Sequence, residues 1–162
     1  MNLYHGGTEI IEKPEIRSAN RPVDFGDGFY TTSDFEQAAN FAKLRADLRK
    51  TDSGIVNAYE IDEKLFANFI VLKFEEPNEE WFDFVIDCRR GGRLFEKYDL
   101  IIGPVANDRV FRVLDFYEAG GVYTKEHAIE ELLPYRLSNQ YAFFCKNLIS
   151  NLKFVKCAEV KK

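Results

Sequence analysis

"DFGDGFYTTSDFEQAANFA", residues 24–42, sets a glycine-spaced turn against an aromatic doublet and then a helix. Gly26 and Gly28 let the chain turn, and Phe29-Tyr30-Thr31-Thr32 has the bulk and branching of a short strand. Ser33-x-x-Glu36 reads as a capping box, and Phe35, Ala38, Ala39, Ala42 and Ala46 recur on one helical face, so a helix is expected from Ser33 to about Lys50. Phe41 stands on that helix eleven residues beyond Tyr30. Two such aromatics can face each other across about 7 Å and admit one flat ring, or they can pack into the core; periodicity alone leaves both open.

Outward from this stretch, extended and helical segments are mixed. "NLYHGG" reads as a first strand ending at His5 in a glycine pair, and residues 8–25, with Pro14 and Pro22, read as a long loop. Beyond the helix, "SGIVNAYEID" and "NFIVLKF" read as strands, with Ile55, Asn57, Tyr59 and Ile61 on one face. Pro77-Asn78 opens a helix through "EEWFDFVIDCRR" that Gly91-Gly92 closes, and "YDLIIGPV" is a buried strand. Asp108 and Thr124 each cap a further helix, and "NQYAFFC" and "LKFVKCAEV" read as closing strands. The strands do not alternate strictly with helices, which favours an α+β fold over a doubly wound parallel sheet. Neither a repeat nor a linker interrupts residues 1–162, so one domain is expected.

Composition narrows the function. A net charge of −5 argues against a protein devoted to gripping phosphate backbones, although "CRRGGR" at residues 88–93 is a local basic run. Three cysteines at 88, 145 and 157, with no CxxC spacing, imply neither a disulfide framework nor a zinc site. No metal is expected. With no apolar leader and no apolar run near twenty residues, the expected location is the cytoplasm, away from membranes. Common nucleotide, hydrolase and metalloprotease motifs do not occur. His5 is the histidine placed to meet a ligand, since the two following glycines leave backbone groups unobstructed.

"LYHGG", "GDGFYTTSDFEQAANFA" and "NQYAFFCKNLISNLKFVKCAEV" resemble, in order and spacing, the three blocks of the His-Tyr-Glu branch of ADP-ribosyltransferases, the group of the poly(ADP-ribose) polymerases and diphtheria toxin. "DFGDGFYTT" and "YDLIIGPVANDRV" make nearly the whole chain similar to the bacterial domain-of-unknown-function family DUF3990. The first resemblance implies an ADP-ribosyltransferase-like fold, two facing antiparallel sheets around an NAD cleft with flanking helices. It implies NAD as co-substrate, His5 on a ribose hydroxyl, the Gly6 backbone on the carboxamide, and the nicotinamide ring between Tyr30 and Phe41. Gly28, Thr31 and Thr32 border that pocket, and Arg17 and Arg21 are placed to hold the pyrophosphate.

Gln140 falls where the family carries its catalytic glutamate. A glutamine can hold a ribose hydroxyl but supplies neither charge nor base to an oxocarbenium-like transition state. Three readings follow: a mono-ADP-ribosyltransferase with its base elsewhere, an enzyme acting on a nucleobase or phosphate, or an NAD or ADP-ribose binding module without turnover. For a stand-in carboxylate the candidates are Asp24, Asp27 and Asp108, the last with Asn107 ranked first. The expected acceptor is a macromolecule, protein ahead of nucleic acid, and by analogy the chain is a toxin or phage-defence effector with an antitoxin partner.

Overall fold

The computed structural model describes residues 1–17, 23–105, 108–121, 124–132 and 139–161. Among the described residues seven strands and five α-helices alternate irregularly: β1 (Asn2–Gly7), β2 (Phe29–Thr32), α1 (Phe35–Arg49), β3 (Ser53–Glu60), β4 (Val71–Lys73), α2 (Glu79–Arg89), β5 (Leu100–Pro104), α3 (Asp108–Glu118), α4 (Lys125–Leu132), β6 (Asn139–Phe143), α5 (Lys146–Ile149) and β7 (Lys153–Lys161). The α+β class holds.

Instead of two separate facing sheets, the strands hydrogen-bond into one, in the order β4-β5-β6-β2-β1-β3-β7. Every neighbouring pair is antiparallel except β4 and β5, which α2 connects as a crossover. The sheet has a weak seam. β1 pairs with β3 over six registered positions and β2 with β6 over four, but between β1 and β2 the registered pair is Tyr4 with Thr32. Two half-sheets therefore meet at one rung, β4-β5-β6-β2 on one side and β1-β3-β7 on the other.

Alternation along the strands assigns the two faces. Leu3, Phe29, Tyr59, Leu100, Ile102 and Phe143 form a buried cluster with Leu148, Ile149 and Leu152 of the α5 region. On the opposite face Ile101 and Ala142 pack with Phe25, Phe74, Trp81, Phe82 and Val85 beneath α2. Burying each large side chain contributes on the order of 1.5–3 kcal/mol. On that same face α1 lies on β1 and β3 through Ala38, Ala39, Ala42 and Val56.

Small side chains bring α1 unusually close. A Cβ on Gly6 would stand 2.1 Å from the Ala38 carbonyl oxygen, and one on Gly54 would stand 2.4 Å from that of Ala42. This explains why β1 runs through the glycine pair rather than ending at His5: Gly6 is a strand residue that admits the helix.

Local ends differ from the sequence reading in three places. The cap of α1 is Asp34, whose carboxylate accepts from the amides of Glu36 and Gln37; Ser33 does not fill that role. Residues 63–68 form a 3-10 turn capped by Asp62, which shortens the expected strand at 68–74 to β4. Asp108 is the first residue of α3 rather than its cap. Asn78, Thr124 and the positive φ of Gly91 perform the roles expected of them.

Candidate functional site

The turn before β2 is fastened from several sides. Gly26 has φ +88°, a value that favours glycine. The Tyr30 hydroxyl donates to the Gly26 carbonyl at 2.6 Å and accepts from the Phe25 amide at 3.2 Å. Both glycines of the turn sit beneath aromatic rings, for a Cβ on Gly26 would meet Phe95 at 2.1 Å and one on Gly28 would meet Phe144 at 2.7 Å. Phe95 and Phe144 pack on each other with centroids 5.3 Å apart. Burial first, then the Asp24 charge, pushes the Tyr30 phenol well above its ordinary value, so it stays a neutral donor.

Asp24 is buried, and its carboxylate lies 3.7 Å from the Arg89 guanidinium at the end of α2. The other arm of Arg89 bonds Asp115 on α3. The sequence reading named Asp24 but missed Arg89, because the residue reads as the basic end of a helix until its partner is known.

His5 occupies the seam. Its imidazole stacks on Phe29, centroids 4.7 Å apart and 21° between planes, on the face opposite the Tyr30 ring. Continuing the register from Tyr4 and Thr32 would set Gly6 against Tyr30, but the ladder stops there and the His5 ring takes its place, Nδ1 lying 2.7 Å from the Tyr30 carbonyl oxygen. A carbonyl only accepts, so Nδ1 carries the proton. Burial lowers the His5 pKa, opposed by that bond and assisted by the charge of Arg45, so the ring is neutral near pH 7. Nε2 is then an acceptor, and it lies on the side of Gly7, where a Cβ would approach it to 3.4 Å.

Gln140 stands directly across β2, paired with Thr32 on one side and Gly103 on the other. It is buried, and its amide nitrogen reaches the Pro104 carbonyl at 3.5 Å, the outer limit of a hydrogen bond. Thr32 donates to Gln37 of α1 at 3.1 Å, and Thr31 donates to the Tyr141 carbonyl at 3.4 Å. Phe41 on α1 is 40 % exposed, with the Arg45 guanidinium 5.9 Å from its centroid.

Thus β1, β2 and β6 bring His5, Tyr30, Thr32 and Gln140 onto adjacent strands, with the His5 ring on one face and Tyr30, Thr32 and Gln140 on the other. Arg17 is exposed and lies 3.7 Å from Glu15. Arg21 and Asn107 lie outside the described residues. Among the described residues no group of three His, Cys, Asp or Glu side chains is placed to hold a metal, and no helix is long and apolar enough to cross a membrane.

Sequence reasoning also missed Asn57. Buried beside His5 in the register of β1 and β3, it accepts from the Ile11 amide at 2.9 Å and donates to the Glu9 carbonyl at 2.9 Å. Tyr59 adds a bond to the Ile11 carbonyl at 2.6 Å, so β3 fixes the loop that leaves β1. A polar residue amid a buried strand was the available signal.

The fold and this central cluster define an α+β protein whose polar groups gather where two half-sheets meet. A family model described as Protein of unknown function (DUF3990) matches residues 1–154, and the chain belongs to that family. No curated protein and no solved structure matches the chain.

Proposed function

We propose that the chain is an NAD-dependent mono-ADP-ribosyltransferase. The observation that carries the reading is the interrupted ladder between β1 and β2, bridged by a neutral His5 whose Nε2 remains an acceptor. Where two strands part, a ligand meets backbone and side chains from both faces of the sheet. A ribose hydroxyl would donate to His5 Nε2, the carboxamide would bond the Gly6 backbone, and the nicotinamide ring would lie between Tyr30 and Phe41.

In the reaction the bond from nicotinamide nitrogen to ribose C1′ breaks and its electrons leave with nicotinamide. An oxygen or nitrogen of the acceptor then bonds C1′ and loses a proton. Gln140 would hold a ribose hydroxyl without adding negative charge, which forfeits about 3 kcal/mol of transition-state stabilisation relative to a carboxylate. Asp24 is paired with Arg89, so of the carboxylates proposed from the sequence Asp27 or Asp108 would take the acceptor proton. A macromolecular acceptor in the cytoplasm and a toxin or defence role with an antitoxin partner complete the proposal.

Gln140 itself favours a second reading, a module that binds NAD or ADP-ribose without turnover. Calorimetric titration with NAD, on wild type and Tyr30→Ala, with nicotinamide assayed in the same samples, separates them. Binding lost in the variant together with nicotinamide release supports the transferase; binding without release supports the module. No binding at millimolar NAD overturns both.

A further inference from the structure

Asp24, Arg89 and Asp115 form a chain of charges joining the turn before β2 to α2 and α3. Arg89 and Asp24 are 11 % and 7 % exposed at their side chains, whereas Asp115 is 63 % exposed. Burying two charges is costly, and an apolar pair of the same shape commonly serves packing as well or better. What an apolar pair lacks is charge attraction: the Arg89 guanidinium, held on α2, draws toward it the carboxylate two residues before Gly26, 3.7 Å away and beyond hydrogen-bond length.

The hydroxyl of Tyr30 is bonded to that same turn at Phe25 and Gly26, so the place of the ring depends on the place of the turn. Phe95 and Phe144 press on the turn from the side of Gly26 and Gly28. The Tyr30 hydroxyl and the Arg89 charge both act on the turn, beside its own bond from the Gly26 amide to the Val23 carbonyl at 3.4 Å.

We infer that Asp24 and Arg89 are a positioning pair, which holds the turn at residues 24–28 and through it sets the place of the Tyr30 ring on β2. The assignment of that ring as a nicotinamide wall rests on the function proposed above; the control of the turn does not.

The test uses the full chain and two readouts. Amide hydrogen exchange of the ligand-free protein is compared for wild type, Asp24→Asn, Asp24→Glu and Arg89→Lys, and NAD affinity is measured for each by calorimetry. In Asp24→Asn the Phe25 amide, which donates to Tyr30, is expected to exchange about tenfold faster or more while α1 and β3 keep their protection. Affinity for NAD is expected to fall about tenfold, with Asp24→Glu restoring part of both effects.

Unchanged exchange at Phe25 overturns the pair, as does an increase spread evenly over the whole protein. If Asp24→Asn does not fold, Arg89→Lys, which keeps the charge but loses the fork, is judged by the same two readouts. Faster exchange at Phe25 in a protein that binds no NAD upholds the pair and discards the nicotinamide wall, so the two ideas fail separately.

Discussion

Where α1 meets β1 and β3 the contact is alanine against glycine, whereas α2 meets β5 and β6 through tryptophan and phenylalanine. The first contact gains stability from closeness, with backbone near backbone; the second gains it from apolar area. Neither half can borrow the other's solution, because α1 has no room for a side chain under it and α2 would leave a void without one. The polar groups His5, Thr32 and Gln140 stand on the strands at the junction of the two, where the sheet is joined by one rung.

The sharpest break in this comparison is Trp81→Ala, which empties the aromatic half and should cost about 4 kcal/mol in urea unfolding. A cost under about 1 kcal/mol would mean that area is not what holds α2. Gly6→Ala is the corresponding change in the close-packed half. Its new methyl would collide with the Ala38 carbonyl, so about 2–3 kcal/mol of stability should be lost unless α1 lifts away.

At the junction, the effect appears as pH dependence. Burial holds His5 below its ordinary 6.5, so the unfolded chain takes up the proton more readily. The stability due to the neutral ring is complete above pH 6.5 and is lost as the pH falls below that value, levelling once the folded ring is also protonated. Unfolding followed from pH 8 to 5 should therefore show a smaller decline in His5→Asn than in wild type.

The smallest change in stability is expected from Phe41→Ala at an exposed position of α1, within about 0.5 kcal/mol. If Phe41 is a wall of the nicotinamide slot, the same variant should bind NAD about tenfold more weakly by calorimetry, the value of one aromatic stacking contact. Unaltered affinity would remove Phe41 from the site.

Much of the secondary structure was legible because it is written locally. Asn78 and Thr124 cap helices by bonds to residues three positions away, and the alanine run of α1 marks its buried face without reference to any partner. Ser33 misled because Asp34, an equally good cap one residue later, takes the role, while Thr32 accepts from the Asp34 amide and completes the turn. The seam was not legible, since register between β1 and β2 depends on where α1 and the His5 ring come to rest. The role of Gly6 as the floor under α1 and the Arg89 pair were hidden for the same reason: each is defined by a residue distant in the chain.

The pairing of β2 with β6 has a consequence in time. Thr31 and Tyr141, bonded across that pair, are 110 positions apart in the chain, and Gln140 belongs to the later strand. During synthesis, β1, α1 and β3 can come together early, but β2 keeps one bare edge until β6 has left the ribosome. A chain broken off before Asn139 has no Gln140 and no central floor, so whatever chemistry the middle of the sheet performs is withheld from incomplete chains. If the chain has the harmful activity proposed, that order of assembly protects the cell that makes it.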